Sequence, residues 1–464
     1  MPAFLNRMGY HGAPWSSLKA KTVKMVRGHL VLIIANAGVI YLAMSGWNYY
    51  DIRYFILWHD NYFARGRIFE VYASDLKVAY PPLAVLIFVL THSLAVAISP
   101  GNIFVWRLVD KLPLLVSFNA IYFLLRRNYG KFASNLWLLN FVTYSVISSY
   151  QFEPISSLFV LLAILSVKKG RYALYGLFST IATLIKQGFA VILALPIIEL
   201  LGRRAYKEAV KYVLVAVVTG ALFTLPFFVV DPKGFIEKVL LFHAKRPPQY
   251  LSIWAVPAYL VKYELNRVPG WISSAWIFPF IAFIALIFYL FLKDSKEGRP
   301  DLETLYVRYI VILMAGFLLL NKVGNINYFL WLSVPLIIFT ASAKKHDSVL
   351  AKKLATISIF TSFAITVVFG FLTVFVQVVA GYPIFIFEDW NWVPADEFFV
   401  KCYAEEPFGM AYVIMLYFRS ISALRETCKS LALTHSYFLA FLCAIYAYAL
   451  CYIIYSAVKR PYKS

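Results

Sequence analysis

Acidic residues are scarce here: 23 Asp and Glu in 464 positions, against 44 Lys and Arg, with only 14% of residues charged. Soluble domains carry about 25% charged residues, and a chain that is 61% hydrophobic has too little polar surface to cover a water-soluble fold. A soluble enzyme is excluded, and the chain reads as a polytopic membrane protein. Cysteine is almost missing as well. The four present, Cys402, Cys428, Cys443 and Cys451, show no CxxC spacing and no neighbouring His pair, which argues against a metal site. There is no glycine-rich phosphate loop. No internal repeat is evident, which speaks mildly against transporters built from repeats. A cleavable signal peptide is not expected either. Arg7, Lys19, Lys21, Lys24 and Arg27 precede an apolar run over 29–47 that is long enough to span and has no clear cleavage site.

What is present is a long series of apolar segments. Runs near 29–47, 103–125, 132–150, 154–167, 173–187, 188–201, 211–230, 270–293, 302–321, 325–343, 354–380 and 436–458 predict an all-α integral membrane bundle of about twelve transmembrane helices. With the N-terminus inside, the inner connections carry Arg126, Arg127 and Lys131; Lys168, Lys169 and Arg171; Arg203, Arg204, Lys207 and Lys211; Lys293, Lys296, Arg299 and Arg308; Lys344, Lys345, Lys352 and Lys353; and Lys459, Arg460 and Lys463. That is the positive-inside pattern. It accounts for most of the +21 net charge, with a contribution from anionic membrane lipids, so no nucleic-acid partner is expected. Both termini are placed in the cytoplasm, and the chemistry in three outer segments, 48–102, 231–269 and 381–435.

Two stretches do not fit simple spans. "YPPLAVLIFVLTHSLAVAISPG" (80–101) is apolar enough to cross, yet a crossing there would invert every later loop, so it is expected to be re-entrant or interfacial. The pair 173–187 and 188–201 turns at "LIKQGF" and reads as two half-depth helices presenting Lys186.

Several polar residues stand out against this apolar background. Asp51 and Asp60 follow the first helix in "WNYYDIRYFILWHD"; either is a candidate general base or an ordinary solvated acid. Gln151 and Glu153 in "SYQFEP" either bind sugar hydroxyls or cap a turn. Lys186 needs a partner at membrane depth, for which an anionic ligand is the expectation and snorkelling the alternative. "FHAKR" puts His243, Lys245 and Arg246 on the side poor in positive charge, where phosphate binding is one reason for them. "NKVGNINY" sets Lys322, Asn325, Asn327 and Tyr328 at an outer turn; a turn explains the asparagines but not the lysine. Cations, two acids and many aromatics on one side suit a lipid-linked phosphorylated sugar donor.

These motifs resemble the GT-C superfamily of glycosyltransferases, integral-membrane enzymes that use polyprenyl-phosphate sugars. An acid after the first helix, a "GR" and "YPPL" with Tyr80 are similar to the first outer loop of mannosyltransferases dependent on polyprenyl-phosphomannose. "NKVGNINYFLWLSVPL", "LIKQGF", "FHAKR" and "QFEP" resemble segments of the catalytic subunit of GPI mannosyltransferase I and its prokaryotic relatives. The resemblance carries over Lys322, Tyr328, Phe329, Trp331, Lys186, His243 and Arg246. It implies an inverting transfer with Asp51 as base, Asp60 second, and Lys186, His243, Arg246 and Lys322 around the donor phosphate. Gln151, Glu153, Tyr80, Asn327 and Tyr328 then face the sugar or acceptor. The donor implied is dolichyl- or polyprenyl-phosphomannose, and the acceptor a lipid-linked glycan or similar molecule. A partner subunit is compatible with this family. The family's Asp-x-Asp is here Asp51-Ile52-Arg53, so a divalent metal is not supported by an intact motif. The catalytic core is expected over 1–345, with 346–464 adding C-terminal transmembrane helices and the acidic segment 381–435. Cys402 and Cys428 share that segment and are candidates for a disulfide. The rival reading is a transporter or flippase of lipid-linked sugars, which binds through the same cations without reacting.

Overall fold

The structure is a computed structural model and describes residues 30–46, 49–262, 267–297, 301–386, 391–394 and 417–459. The N-terminal basic residues and Cys402 lie outside these, as do most of 381–416 and the side chain of His243. Cys428 is a buried free thiol.

The helices are α1 (Leu30–Ser45), α2 (Tyr49–Trp58), α3 (Pro82–Ile98), α4 (Ile103–Asp110), α5 (Leu112–Leu138), α6 (Phe141–Ser148), α7 (Glu153–Val167), α8 (Tyr172–Ile185), α9 (Ala194–Gly202), α10 (Tyr206–Phe228), α11 (Ile277–Glu297), α12 (Leu302–Leu320), α13 (Phe329–His346), α14 (Ser348–Phe363), α15 (Thr373–Ala380) and α16 (Ser422–Lys459). Among the described residues six are long and apolar enough to cross a membrane, or seven if the bent α4–α5 pair counts as one span. Others, including α1, α3, α7 and α8, have only 10–17 residues. Where about twelve spans are expected, the described residues thus hold six or seven full-length ones and several shorter apolar helices, a 17-residue helix rising about 25 Å. The expected helix 132–150, for example, is broken after Leu138, where α5 ends, and Asn140 caps α6 by accepting from the Val142 amide; Gly130, just before that stretch, adopts φ 84° inside α5.

α12 and α13 are buried almost throughout. α13 is apolar all round, which suits a helix at the centre, and it packs against α5, α7, α12 and α14. α10 and α11 instead turn Leu214, Val217, Leu222, Phe278, Ile281 and Leu286 outward, the lipid-facing surface that a membrane bundle needs. Basic loops far apart in sequence meet at one end of the bundle. Lys168 pairs with Glu303 at 2.7 Å, Tyr129 bonds the same carboxylate, and Arg308 joins Asp294 at 2.8 Å and the Ala457 carbonyl at 2.7 Å.

The segment 80–111 does not cross the bundle. It starts with Tyr80 bonded to Gln151 and finishes with Lys111 bonded to the Ser148 carbonyl at 2.8 Å, three residues away. Within it α3 is an uninterrupted helix, with Pro82 at its first position, where a proline needs no hydrogen-bond partner. The return is locked by cations at the C-terminal end of α1. Lys111 donates to the carbonyls of Ala43 (2.9 Å) and Gly46, and Arg107 to that of Ser45 (3.1 Å), so both satisfy carbonyls that a helix end leaves open. The pair 173–201 behaves as expected of a hairpin. Tyr172 donates to Glu199 at 2.9 Å where the arms begin and end, and helical geometry breaks at Lys186 (φ −142°, ψ 111°).

Candidate active site

Lys186 sits at that break because the turn delivers it to the far end of the hairpin, where it is buried. The partner waiting for it is the chain's own Glu153, 2.8 Å away. Glu153 begins α7 and is fully buried. An anionic ligand is the expected partner of Lys186; the structure supplies an internal carboxylate, and Glu153 is not among the residues that line the cavity described below. The Lys186 ammonium also lies 4.5 Å over the Tyr80 ring.

From this pair a hydrogen-bonded network runs to Asp51. Asn327 donates to Glu153 at 2.7 Å and to Gln151 Oε1 at 3.2 Å. Gln151 Nε2 donates to Asp51 Oδ2 at 2.6 Å. Tyr80 Oη lies 3.1 Å from Gln151 Oε1 and 3.5 Å from Asp51 Oδ2. Asp51, Tyr80, Gln151, Lys186 and Asn327, from five separate stretches of sequence, therefore face one cavity of about 410 Å³.

A continuous aromatic run lines the same cavity. Trp276, Phe280, Phe317, Trp331 and Tyr328 follow one another with ring centroids 5.6, 5.4, 5.4 and 4.2 Å apart. Gly188 sits where a Cβ would fall 2.1 Å from the Trp331 ring, so only glycine lets the Lys186 turn approach it.

The remaining cations arrive on two loops stitched together. β1 (Gln249–Tyr250) and β2 (Val323–Gly324) pair in parallel. Arg246 donates to Gln249 at 2.6 Å and lines the cavity, and Lys322 donates to the carbonyl of Ala244, another lining residue, at 2.6 Å. Burial lowers the Lys322 ammonium below its ordinary range. Gly324 makes the stitch possible, because a Cβ there would lie 2.4 Å from the Ser252 amide nitrogen. Gly324→Ala is therefore expected to force the strands apart at about 1–3 kcal/mol, read as a lower unfolding temperature of the detergent-solubilised protein.

Lys77 also lines the cavity, and sequence reasoning missed it. Its position in the first outer segment, far from the basic loops, was the available signal. Asp60, the second candidate base, is not in the cavity; it is exposed and bonds His59 at 2.7 Å. Among the described residues Asp51 is the one carboxylate lining the site. Arg53, standing where the resembled family has its second acid, packs 4.7 Å over the Tyr54 ring. One carboxylate beside several cations does not fit a divalent ion, and no step at Asp51 is drawn through one.

A buried acid, converging cations and an aromatic wall inside a bundle of apolar helices fit the class of membrane glycosyltransferases. The chain belongs to glycosyltransferase family 87, which it matches over residues 79–321, just over half its length. The expected GT-C resemblance holds at that level. Among solved structures it is similar to ArnT from Cupriavidus metallidurans bound to undecaprenyl phosphate, at 14% identity and a TM-score of 0.46, over 93% of this chain and 77% of that one. No curated protein matches.

Proposed function

We propose that this enzyme transfers mannose, with inversion, from a polyprenyl- or dolichyl-phosphate donor to a lipid-linked glycan or similar acceptor. The transfer takes place on the extracytoplasmic face, with both termini in the cytoplasm. The observation that carries this reading is Asp51, a buried carboxylate held by Gln151 in the wall of a cavity that Lys186 and Arg246 also line. The sugar rests on the resemblance of the sequence motifs, and the sidedness on the meeting of basic loops at the end of the bundle opposite the cavity.

In the reaction the acceptor hydroxyl attacks the anomeric carbon, the bond from that carbon to the phosphate oxygen breaks, and polyprenyl phosphate leaves with the electron pair. Asp51 takes the hydroxyl proton as the new bond forms. Arg246 and Lys186, which line the cavity, meet the charge growing on the departing phosphate, with Lys322 behind them on the carbonyl of the lining residue Ala244, a stabilisation that fixed donors provide best in a water-poor site. The aromatic run packs on the sugar face and the first isoprene units.

The test is transfer by the purified full chain in liposomes, offered labelled polyprenyl-phosphomannose, polyprenyl-phosphoglucose or a nucleotide sugar together with lipid extract as acceptor. Label is expected to move from the mannosyl lipid. Transfer from the nucleotide sugar alone, or movement of lipid-linked sugar across the bilayer without transfer, would overturn the reading. Arg246→Ala is expected to weaken donor binding about 10- to 100-fold, as loss of a charge-assisted hydrogen bond should. Unchanged donor affinity would remove Arg246 from the phosphate site.

A further inference from the structure

Away from the cavity, α2 runs on into a π-helical turn over His59–Phe63. Neighbouring residues on a regular helix do not face one another, yet here His59 Nδ1 and Asp60 Oδ1 are 2.7 Å apart. Across from them on α3, the His92 ring stands edge-on to His59 with centroids 4.9 Å apart. One ligand atom from each of His59, Asp60 and His92 lies within 4.8 Å of the others.

The surroundings of this group are those of a metal site. His92 Nδ1 is held by the buried Asp110 carboxylate at 3.1 Å, which leaves Nε2 as its donor atom; a carboxylate behind a histidine is how ligating imidazoles are usually oriented. His59 Nε2 is 3.0 Å from Ser93 Oγ. Both imidazoles are buried and Asp60 is exposed, so two ligands are fixed and the third can swing in from solvent. Ligand atoms on a tetrahedral zinc stand about 3.3 Å apart. Bringing the group from separations of up to 4.8 Å to that spacing takes a shift of the rings as well as of Asp60, which exchanges its bond to His59 for one to the ion.

We propose that His59, Asp60 and His92 bind one divalent transition-metal ion, zinc by preference, with a water at the fourth position. The donor set of two imidazoles and one carboxylate favours zinc over calcium and magnesium, which take oxygen ligands. The ion ties the end of α2 to α3. Asp51 lies eight residues back along α2, about 12 Å away by helical rise, so the metal acts as a strut that fixes the helix carrying Asp51 and does not touch the reacting atoms. This inference is independent of the identity of donor and sugar.

The experiment uses tag-free full-length protein in detergent, dialysed against about micromolar free zinc, with metal counted by mass spectrometry and Co²⁺ added as a spectroscopic probe. Wild type is expected to retain one zinc per chain, to unfold at a higher temperature with zinc than after chelation, and to give the intense visible absorption of tetrahedral cobalt. Asp60→Asn, an exposed change that leaves folding intact, and His92→Gln should each lower zinc affinity at least tenfold, Asp110→Asn by about 10- to 100-fold. Asp51→Asn should bind zinc as wild type does. No retained zinc in wild type, equal retention in Asp60→Asn and His92→Gln, or loss of zinc in Asp51→Asn would overturn the proposal.

Discussion

Asp51→Asn is expected to lower the rate of sugar transfer about 10²- to 10⁴-fold, the usual worth of a positioned general base, while donor affinity changes little. The asparagine is nearly isosteric and its carbonyl can still accept from Gln151, the partner that now holds Asp51 Oδ2 at 2.6 Å. The fold and the cavity wall therefore persist, and what is lost is the proton acceptor for the attacking hydroxyl. Single-turnover transfer from a labelled polyprenyl-phosphate sugar, with donor binding measured in parallel, separates the two effects. A variant that transfers within tenfold of wild type would remove Asp51 from the base role. Asp60→Asn gives the internal comparison: Asp60 points away from the cavity and bonds His59, so its removal should cost far less than that of Asp51.

Glu153→Ala should destabilise the protein by about 3–5 kcal/mol, because removing one partner of a buried ion pair leaves the other charge uncompensated. Glu153 is fully buried and Lys186 nearly so. The same change takes from Asn327 its 2.7 Å partner and so loosens the chain of bonds through Gln151 to Asp51. Loss of activity is expected together with the fall in unfolding temperature. Replacing both partners, as Glu153→Ala with Lys186→Met, should recover much of the stability and none of the donor binding. Equal stability losses in the single and double variants would show that the two charges do not act as a pair.

How much of this could be read from the residues depended on the cost of polarity in an apolar chain. Asp51, Tyr80, Gln151, Lys186, Arg246 and Asn327 were conspicuous because polar groups at the ends of long apolar runs need a reason, and the fold brings all six to one cavity. The hairpin turning at Lys186 was visible for the same reason. Glu153 is conspicuous too, but nothing in "SYQFEP" shows that it faces a lysine 33 residues later. Asp60 was indistinguishable from Asp51 by type and neighbourhood; only the direction in which each leaves the helix separates them. Arg107 and Lys111 look like misplaced charges in sequence, and their role in capping α1 needs the return of 80–111 to the same bundle end. The His59, Asp60 and His92 group was invisible because its members lie on two helices and one pair are immediate neighbours, a spacing that ordinary helical geometry sets apart. Hydropathy marks apolar stretches and not the break at Asn140 inside one of them, so the expected run 132–150 divides between α5 and α6.

The anomeric configuration of the product decides whether the cavity works as described. With Asp51 the one carboxylate in the lining among the described residues, a single displacement is expected. A donor of known anomeric form, turned over by the purified wild-type chain and analysed by NMR of the released glycan, should give product of the opposite configuration. Product that retains the donor's configuration would require a covalent sugar–enzyme intermediate or an equivalent second displacement, and would rule out Asp51 acting as the base for direct attack by the acceptor.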